Sequence, residues 1–521
     1  MVGVTPHGAP PVDEALAPWR GRDARERALG AVARLWSGLL DPVRVESPDP
    51  AFNILNNTWL GYQAIGARLW ARTGYWQQSG AFGFRDQLQD SQVYLPSHPH
   101  LCAAQCRLHA RHQFANGTVY HWWHPLSEVG HVSRHTDDLL WLPYVLAAYL
   151  KETDDFGLLD DKEPFVDSKE ATSLFDHSSR AIDRVLSKFS DRGLPLIGEG
   201  DWNDGLSGAG RLMKGESVWL GHFMHGLLRD WAHIASHRGL ADVAARWTQR
   251  ADALREALNT IAWDGDWYWR ATLDDGTILG SAQSHRGKIF LNAQTWAVLC
   301  DVAGPERARK VMDEARKHLL RDSGPLLFTP AFDVPDARVG YLTRYAPGTR
   351  ENGGVYTHAA VWSIWAAARL GDGELAWEIF KRLAPPNRGM APEAYAVEPY
   401  VTPGNINGPE SPFYGQGGWT WYTGSAAWLR RVSHMAILGI EPTWEGLAIR
   451  PALPPHWDRA AIRRPYRGDV LSIEILNQAG GAPSEARVVV DGQPLAPGAC
   501  IEATGRGAER QVVVRLVNRT A

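Results

Sequence analysis

The strongest constraint on this chain is that about twelve amphipathic helical runs must each bury an apolar stripe. Apolar residues recur at helix spacing near residues 28–41, 53–73, 98–115, 136–152, 171–189, 216–238, 240–260, 290–303, 305–320, 357–370, 372–384 and 423–437. Gly239 separates two of these runs, and Gly371-Asp372-Gly373 separates two others, as the turn of a helical hairpin would. Six hairpins closed into a ring would make an (α/α)6 barrel, with the loops at one end enclosing a pocket. No repeat of fixed period is legible, which argues against a solenoid.

After about residue 440 the texture changes. Residues 470–475 alternate, residues 486–490 and 511–516 are β-branched runs, and Asp491-Gly492 is a hairpin signal. The expected organisation is an N-terminal tail and linker helix over 1–45, a helical barrel over 46–440, and a small C-terminal β-sandwich-like module over 441–521.

Composition excludes several classes of function. A net charge of −4 argues against nucleic-acid or anionic-membrane partners. The four cysteines are too scattered for a disulfide framework and lack a Cys/His zinc pattern. No membrane span or secretory leader is visible, so a cytoplasmic enzyme is the expectation. The 24 tryptophans stand out. Indole-rich chains often bind carbohydrate, although most of these rings are expected in the core.

The stretch Gly198-Glu199-Gly200-Asp201-Trp202-Asn203-Asp204-Gly205 concentrates three carboxylates and an indole in one glycine-flanked loop. Sugar rings stack on aromatic faces while their bridging oxygens await a proton, so this pairing suits glycoside chemistry. A calcium loop fails because its twelfth position would be Leu212. An Asx-turn between helices is the plain alternative.

Three further clusters carry polar chemistry. Residues 82–90 contain Arg85-Asp86 and a second acid, Asp90. Alone, they read as a solvated salt-bridge face, although Phe82, Phe84 and Leu88 do not suit such a surface. Residues 350–358 combine Glu351, Asn352, a Gly-Gly turn and His358, which alone reads as a capping or core histidine. Tyr422-Thr423-Gly424-Ser425 opens an Ala-rich helix. Free N–H groups and hydroxyls at such a start can hold phosphate or sulfate, and an ordinary N-cap is an equal alternative. A nucleophile elbow fails at Ala209, and no Walker or dinucleotide motif is present.

In order, the segments 84–90, His121-Trp122-Trp123-His124-Pro125, 137–142, 200–205, 351–353 with His358, and 422–425 resemble glycoside hydrolase family 94. These are inverting β-glycoside phosphorylases, including cellobiose and chitobiose phosphorylases. The flavour is that of 1,2-β-oligoglucan phosphorylases and the C-terminal part of cyclic β-1,2-glucan synthases. The resemblance spans about residues 45–521 and implies an (α/α)6 catalytic barrel. It also implies that Asp204 is the general acid, that Arg85, Asp86, Trp202 and Glu351 hold the transferred glucosyl ring, and that Tyr345 touches the adjoining sugar. By the same resemblance His358, Thr423 and Gly424 cradle inorganic phosphate, a co-substrate, with no metal and no cofactor. The implied reaction gives α-glucose 1-phosphate and a shortened saccharide from a β-glucan or β-glucoside. For Asp204 to be protonated at neutral pH, burial against Trp202 and the nearby Asp201 is the expected means.

Two departures from the family pattern matter. The family's large N-terminal β-sandwich would not fit in the first 45 residues, so a homodimer and a module of a larger synthase are both open. The phosphate arginine that some members carry just before the Arg-Asp pair would fall near Gly80, which is not basic. The rival functions are an inverting β-glucosidase on the same barrel and a non-catalytic glucan-binding remnant.

Overall fold

The computed structural model describes residues 11–78, 80–479 and 485–518. Six helices form its centre: α1 (Phe84–Ser91), α2 (Trp141–Thr153), α3 (Val218–His237), α4 (Leu291–Leu299), α5 (Thr357–Arg369) and α6 (Ser425–Val432). Each packs against the next, and α6 returns to α1, so the six close a ring. Helices Pro99–Ala110, Leu174–Leu186, Ala241–Ile261, Pro305–Leu319 and Gly373–Leu383 pack outside α1 to α5. The remaining outer position is taken by a helical run over residues 50–70, which passes twice into π-helix, at Leu55–Trp59 and Gln63–Trp70.

Local chemistry sets these boundaries. Ser217 caps α3 by accepting from Leu220 N at 3.0 Å, and Asp372 caps Gly373–Leu383 through Leu375 N at 2.9 Å. Gly239 and Gly371, at φ +74° and +78°, make the left-handed turns expected between paired helices. The ring is filled by indoles. Trp141, Trp219, Trp296, Trp362 and Trp428, from five of the six inner helices, are all fully buried. Trp296 and Trp362 meet edge to face at 5.1 Å, and Trp362 and Trp428 at 5.8 Å. Many of the tryptophans are therefore structural.

The structure departs from sequence expectation in two places. Residues 84–91 form a buried inner helix rather than a solvated face: Arg85, Gln87, Leu88, Gln89 and Asp90 are all buried. Their charges are paired inside the protein, and no apolar stripe of ordinary width marks the segment. The C-terminal region is one six-stranded sheet plus a two-stranded ribbon, rather than a sandwich. Its strands are β1 (Arg44–Glu46), β2 (Arg459–Tyr466), β3 (Asp469–Asn477), β4 (Glu485–Val490), β5 (Gln493–Pro494) and β6 (Glu509–Val517), in the order β1-β2-β3-β6-β4-β5. All neighbours are antiparallel except β3 and β6. β1 comes from the end of the expected tail, so the sheet is built from both ends of the chain. Alternate residues of β2 and β3, including Ala460, Ile462, Leu471, Ile473 and Ile475, are buried.

The sheet side is joined to the helices by aromatic packing and a buried charge pair. Phe52 is fully buried, with ring centroids 6.1 Å from Trp377, 5.1 Å from Phe380 and 5.2 Å from Trp457. Arg464 of β2 pairs with Glu152 of α2 in the interior. Among the described residues no helix is long and apolar enough to cross a membrane. Phe52→Ala should cost about 3–5 kcal/mol of stability through the cavity it opens. Urea denaturation would measure this, and a loss under about 1 kcal/mol would show that Phe52 is not a joint between the two parts.

Candidate active site

The first turns of α1 and α5, the turn before α6, and the loops ahead of α2 and α3 converge on one cavity of about 370 Å³. Helix N-termini present free N–H groups and positive potential, so this end of the ring favours anions. Arg85, Asp86, Trp202, Asp204, His358, Thr423 and Gly424 line it, as do Arg68, Arg72, His121, Arg350, Tyr356, Trp419 and Tyr422. Tyr345 and Glu351 are not in its wall. They reach it through Arg350, whose guanidinium lies 5.1 Å from the Tyr345 ring and 3.6 Å from Glu351 Oε2.

The loop carrying Asp204 is held by its other acid. Asp201 and Arg270 are both fully buried and form a two-point ion pair at 2.6 and 2.7 Å. Ser217 Oγ donates to Asp201 Oδ2 at 2.6 Å, which ties the loop to the start of α3. Asn203 N donates to Asp201 Oδ1 at 3.0 Å, so an Asx-turn exists here and serves to shape the site. Asn203 Oδ1 in turn accepts from Asn292 of α4 at 2.9 Å. Burial pushes the Asp201 carboxyl up, but Arg270, Ser217 and Asn203 N hold it below the usual carboxylate range. Gly205 has no room for a side chain, since a Cβ there would lie 2.5 Å from Leu342 Cβ.

Asp204 itself differs from expectation. Its side chain is 42% exposed, Arg85 Nη2 donates to its Oδ1, and His135 Nε2 lies 3.3 Å from the same oxygen. Neither apolar enclosure by Trp202 nor contact with Asp201 sets its surroundings. Asp201 is turned away into its pair with Arg270, and Trp202 packs edge-on to His358 at 5.0 Å.

Arg85 binds much more than Asp204. Its Nη1 donates to Asp137 Oδ1 at 2.9 Å and to the Asp201 carbonyl at 2.9 Å, and its Nε lies 3.4 Å from Asp138. Asp137 and Asp138, just before α2, are fully buried side by side. Burial pushes Asp137 up, with Arg85 opposing and Asp138 adding to the rise. Asp138 is held low by His121 and Arg85 despite its burial. His121 Nδ1 is 2.7 Å from Asp138 Oδ2, and this carboxylate outweighs burial to raise the imidazole to about 9. The His121 and His135 rings stack at 4.6 Å, within 6° of parallel.

The other end of the cavity is basic. Arg68 and Arg72 lie over the Tyr422 ring, at 4.8 and 4.9 Å. Arg72 Nη2 donates to Asp86 Oδ2 at 2.9 Å, and Arg68 Nη2 is 3.8 Å from Asp86 Oδ1. Burial raises Asp86, but Arg72, Arg68 and Arg85 together hold it far below the usual range. Among the described residues Arg72 Nη1 is buried without a hydrogen-bond partner. His358 is pushed down to about 3 by burial with Arg68 near, so it stands neutral at the start of α5. Ser425 N donates to Thr423 Oγ1 at 3.2 Å, so Thr423 caps this turn while lining the cavity.

Arg68, Arg72, His135 and Arg270 were not singled out from the sequence, and His121, Asp137, Asp138 and Arg350 lay in its motifs without a role of their own. Arg68 and Arg72 lie on a π-helical run and the turn after it, which no helical-wheel pattern resolves. The His121–Asp138 pair makes a prediction. The folded imidazole holds its proton more tightly than the unfolded one, so its stabilisation is full below about pH 6.5. It is lost as pH rises through about 9. Chemical denaturation from neutral to alkaline pH should show that loss in the wild type and a flatter profile in His121→Gln; identical profiles would remove His121 from the stability balance.

Comparison with known proteins now bears on this geometry. Residues 35–439 match the model of the Glycosyl hydrolase 94 superfamily, catalytic domain. The chain is 40% identical over 457 residues to the cyclic beta-(1,2)-glucan synthase NdvB of Rhizobium meliloti, covering 84% of this chain and 16% of that protein. It is 31% identical over 489 residues to the solabiose phosphorylase of Paenibacillus borealis, covering 92% of this chain and 61% of the phosphorylase. The chain therefore spans less than two thirds of either relative. In fold it is similar to a GH78 family rhamnosidase of Bacillus sp. GL1, with a TM-score of 0.55, 14% identity, and coverage of 93% of this chain and 44% of that one. On the family match over residues 35–439, this chain belongs to the glycosyl hydrolase 94 superfamily, of which it carries the catalytic domain.

Proposed function

We propose that the chain catalyses inverting phosphorolysis of a β-linked glucoside or β-glucan oligosaccharide. The observation that carries this is the polarity of one cavity, with a half-exposed carboxylate, Asp204, near one wall and a basic helix start opposite. The ring of six helix pairs is, on this view, the (α/α)6 catalytic barrel over residues 46–440, with the sheet-rich segment 441–521 as its buttress. Phosphorylase relatives on β-glucosides support the reaction class, and their longer chains leave acceptor choice to segments not matched here.

The chemistry follows from the placement. The glucosyl ring lies against Trp202, with Asp86 and Arg85 reaching its hydroxyls and Glu351 and Tyr345 acting from behind Arg350. Arg68, Arg72, Thr423, Gly424 and His358 hold phosphate below the anomeric carbon, with the two guanidiniums replacing the arginine absent near Gly80. Asp204 donates its proton to the bridging oxygen while a phosphate oxygen forms the new bond to C1 from the opposite face. The C1–O bond breaks, the alcohol leaves, and the α-phosphate results. Hydrogen phosphate enters with one proton and glucose 1-phosphate leaves without it, so that proton restores Asp204 over the cycle. No second carboxylate is needed as a base, unlike the water-activating case of an inverting hydrolase.

Donation by Asp204 requires that Arg85 release it. Substrate hydroxyls competing for Arg85 Nη2 are the natural trigger. Asp204→Asn should lower phosphorolysis of a β-glucobiose by roughly 10²–10⁴. Thr423→Val and Arg72→Met should chiefly raise the KM for phosphate, by about tenfold to a hundredfold. Incubating β-linked glucobioses and sophoro-oligosaccharides with and without phosphate separates the rivals. Glucose 1-phosphate formed only with phosphate supports phosphorolysis, free glucose without it indicates a hydrolase, and no turnover indicates a binding remnant.

A further inference from the structure

The segment 121–125 carries an exposed indole, Trp122, that the mechanism above leaves unused. Trp122 is 38% exposed, whereas its neighbour Trp123 is fully buried. Both lie on the strand Tyr120–Trp123, flanked by the strands Phe82–Gly83 and Gly130–Val132. Alternation along the strand sends Trp123 into the core, stacked on His112 at 3.9 Å, and Trp122 outward. The register shifts between Tyr120 and Trp122, and such a bulge re-aims the side chains beside it. As a result His121 and Trp122, though consecutive, both line the catalytic cavity.

The aromatic rings at this cavity differ in what their faces already hold. Tyr422 lies under Arg68 and Arg72, and Trp419 is taken up by the Arg350 guanidinium at 4.0 Å and the Trp76 ring at 5.9 Å. Tyr345, outside the wall, has Arg350 over its ring. Trp202 is 7% exposed and packs against Trp362, with Tyr356 edge-on to it at 5.5 Å. Trp122 has only His131, 6.0 Å away and 22° from parallel, and His124, edge-on at 5.4 Å, as ring contacts among the described residues. No cation of the described residues lies over it, so an indole face remains open at the cavity rim.

Its place in the cavity is equally specific. His121, one residue earlier, stacks at 4.6 Å on His135, which lies 3.3 Å from Asp204 Oδ1. Trp122 therefore borders the Asp204 end of the cavity, away from Arg68, Arg72 and the start of α6. On the proposed reaction the bridging oxygen sits at Asp204, and whatever leaves with that oxygen extends toward this rim.

We infer, on the reading that Asp204 protonates the bridging oxygen, that Trp122 is a specificity-determining platform for the leaving group and that this group is a pyranose ring. A pyranose with equatorial hydroxyls presents axial C–H bonds on its faces, and the negative face of an indole attracts them. An open-chain polyol or a small alcohol offers no such face.

Synthesis from α-glucose 1-phosphate tests this, because the acceptor then occupies the leaving-group position. In Trp122→Ala the KM for the saccharide acceptor should rise about tenfold or more, while that for α-glucose 1-phosphate stays within about twofold. Trp122→Phe, which keeps an aromatic face, should recover most of the loss. Wild type should use glucose or a β-glucobiose as acceptor at least about tenfold better in kcat/KM than sorbitol, an open-chain polyol. Should Trp122→Ala fail to fold, that acceptor comparison decides alone, and equal use of sorbitol overturns the inference. An unchanged acceptor KM in folded Trp122→Ala, or an equal rise in both KM values, also overturns it, while phosphate-dependent turnover leaves the proposed reaction standing. No turnover of α-glucose 1-phosphate with any acceptor, together with no phosphorolysis, overturns both.

Discussion

One guanidinium, that of Arg85, organises the catalytic end of this protein. It contacts carboxylates from Asp137, Asp138 and Asp204 and the carbonyl of Asp201, so three chain segments separated by scores of residues meet on one side chain. Carboxylates this close repel and would not stay buried together without a cation between them. Arg85 in turn stays buried only because they are there, its charge held firmly by Asp137, Asp204 and Asp138 against the cost of burial. On the proposed reaction Asp204 gives up a proton, so the same interaction that assembles the site also restrains the proposed acid. The site is therefore assembled around a contact that the proposed reaction has to loosen.

A second buried pair lets that loosening occur without collapse. Asp201 and Arg270 sit one layer behind, tied to Ser217 and Asn203, and they keep the loop fixed whatever Arg85 does. Their mutual geometry is of the two-point kind that makes arginine–carboxylate pairs directional. The division of labour between Asp201 and Asp204 is thus physical. Asp201 has its oxygens saturated by donors and can only position, whereas Asp204 retains exposure and exchangeable partners.

Much of the scaffold was legible from period alone. Every helical run expected from residue 98 onward has a counterpart within a few residues, and the Gly239 and Gly371 turns fall where left-handed backbone is required. The inner helix Phe84–Ser91 was hidden because its buried face is polar: Arg85, Gln87, Gln89 and Asp90 each bond to partners outside the helix. The strand Arg44–Glu46 was hidden for a related reason, since three residues carry no pattern and its pairing partner lies over four hundred residues downstream. The ordered motifs led to Arg85, Asp86, Trp202, Asp204, His358, Thr423 and Gly424, which share one cavity. They did not give the environment of Asp204, because local sequence shows Trp202 and Asp201 as its neighbours while tertiary structure supplies Arg85 and His135.

The basic half of the cavity shows why charge count in a sequence is a poor guide to charge at a site. The chain is net acidic, and the place near Gly80 where a basic side chain would be sought is occupied by none. Positive potential arises instead from two sources that composition does not report. One is the pair of helix starts, of α5 and α6, that border this part of the cavity with the positive ends of their dipoles. The other is Arg68 and Arg72, which the π-helical run over Gln63–Trp70 carries to the cavity from an outer helix, and which Tyr422 underlies from the opposite side. Asp86 and Asp90 neutralise part of that charge. What the sequence could not show is therefore how a net acidic chain comes to have a basic wall in its cavity.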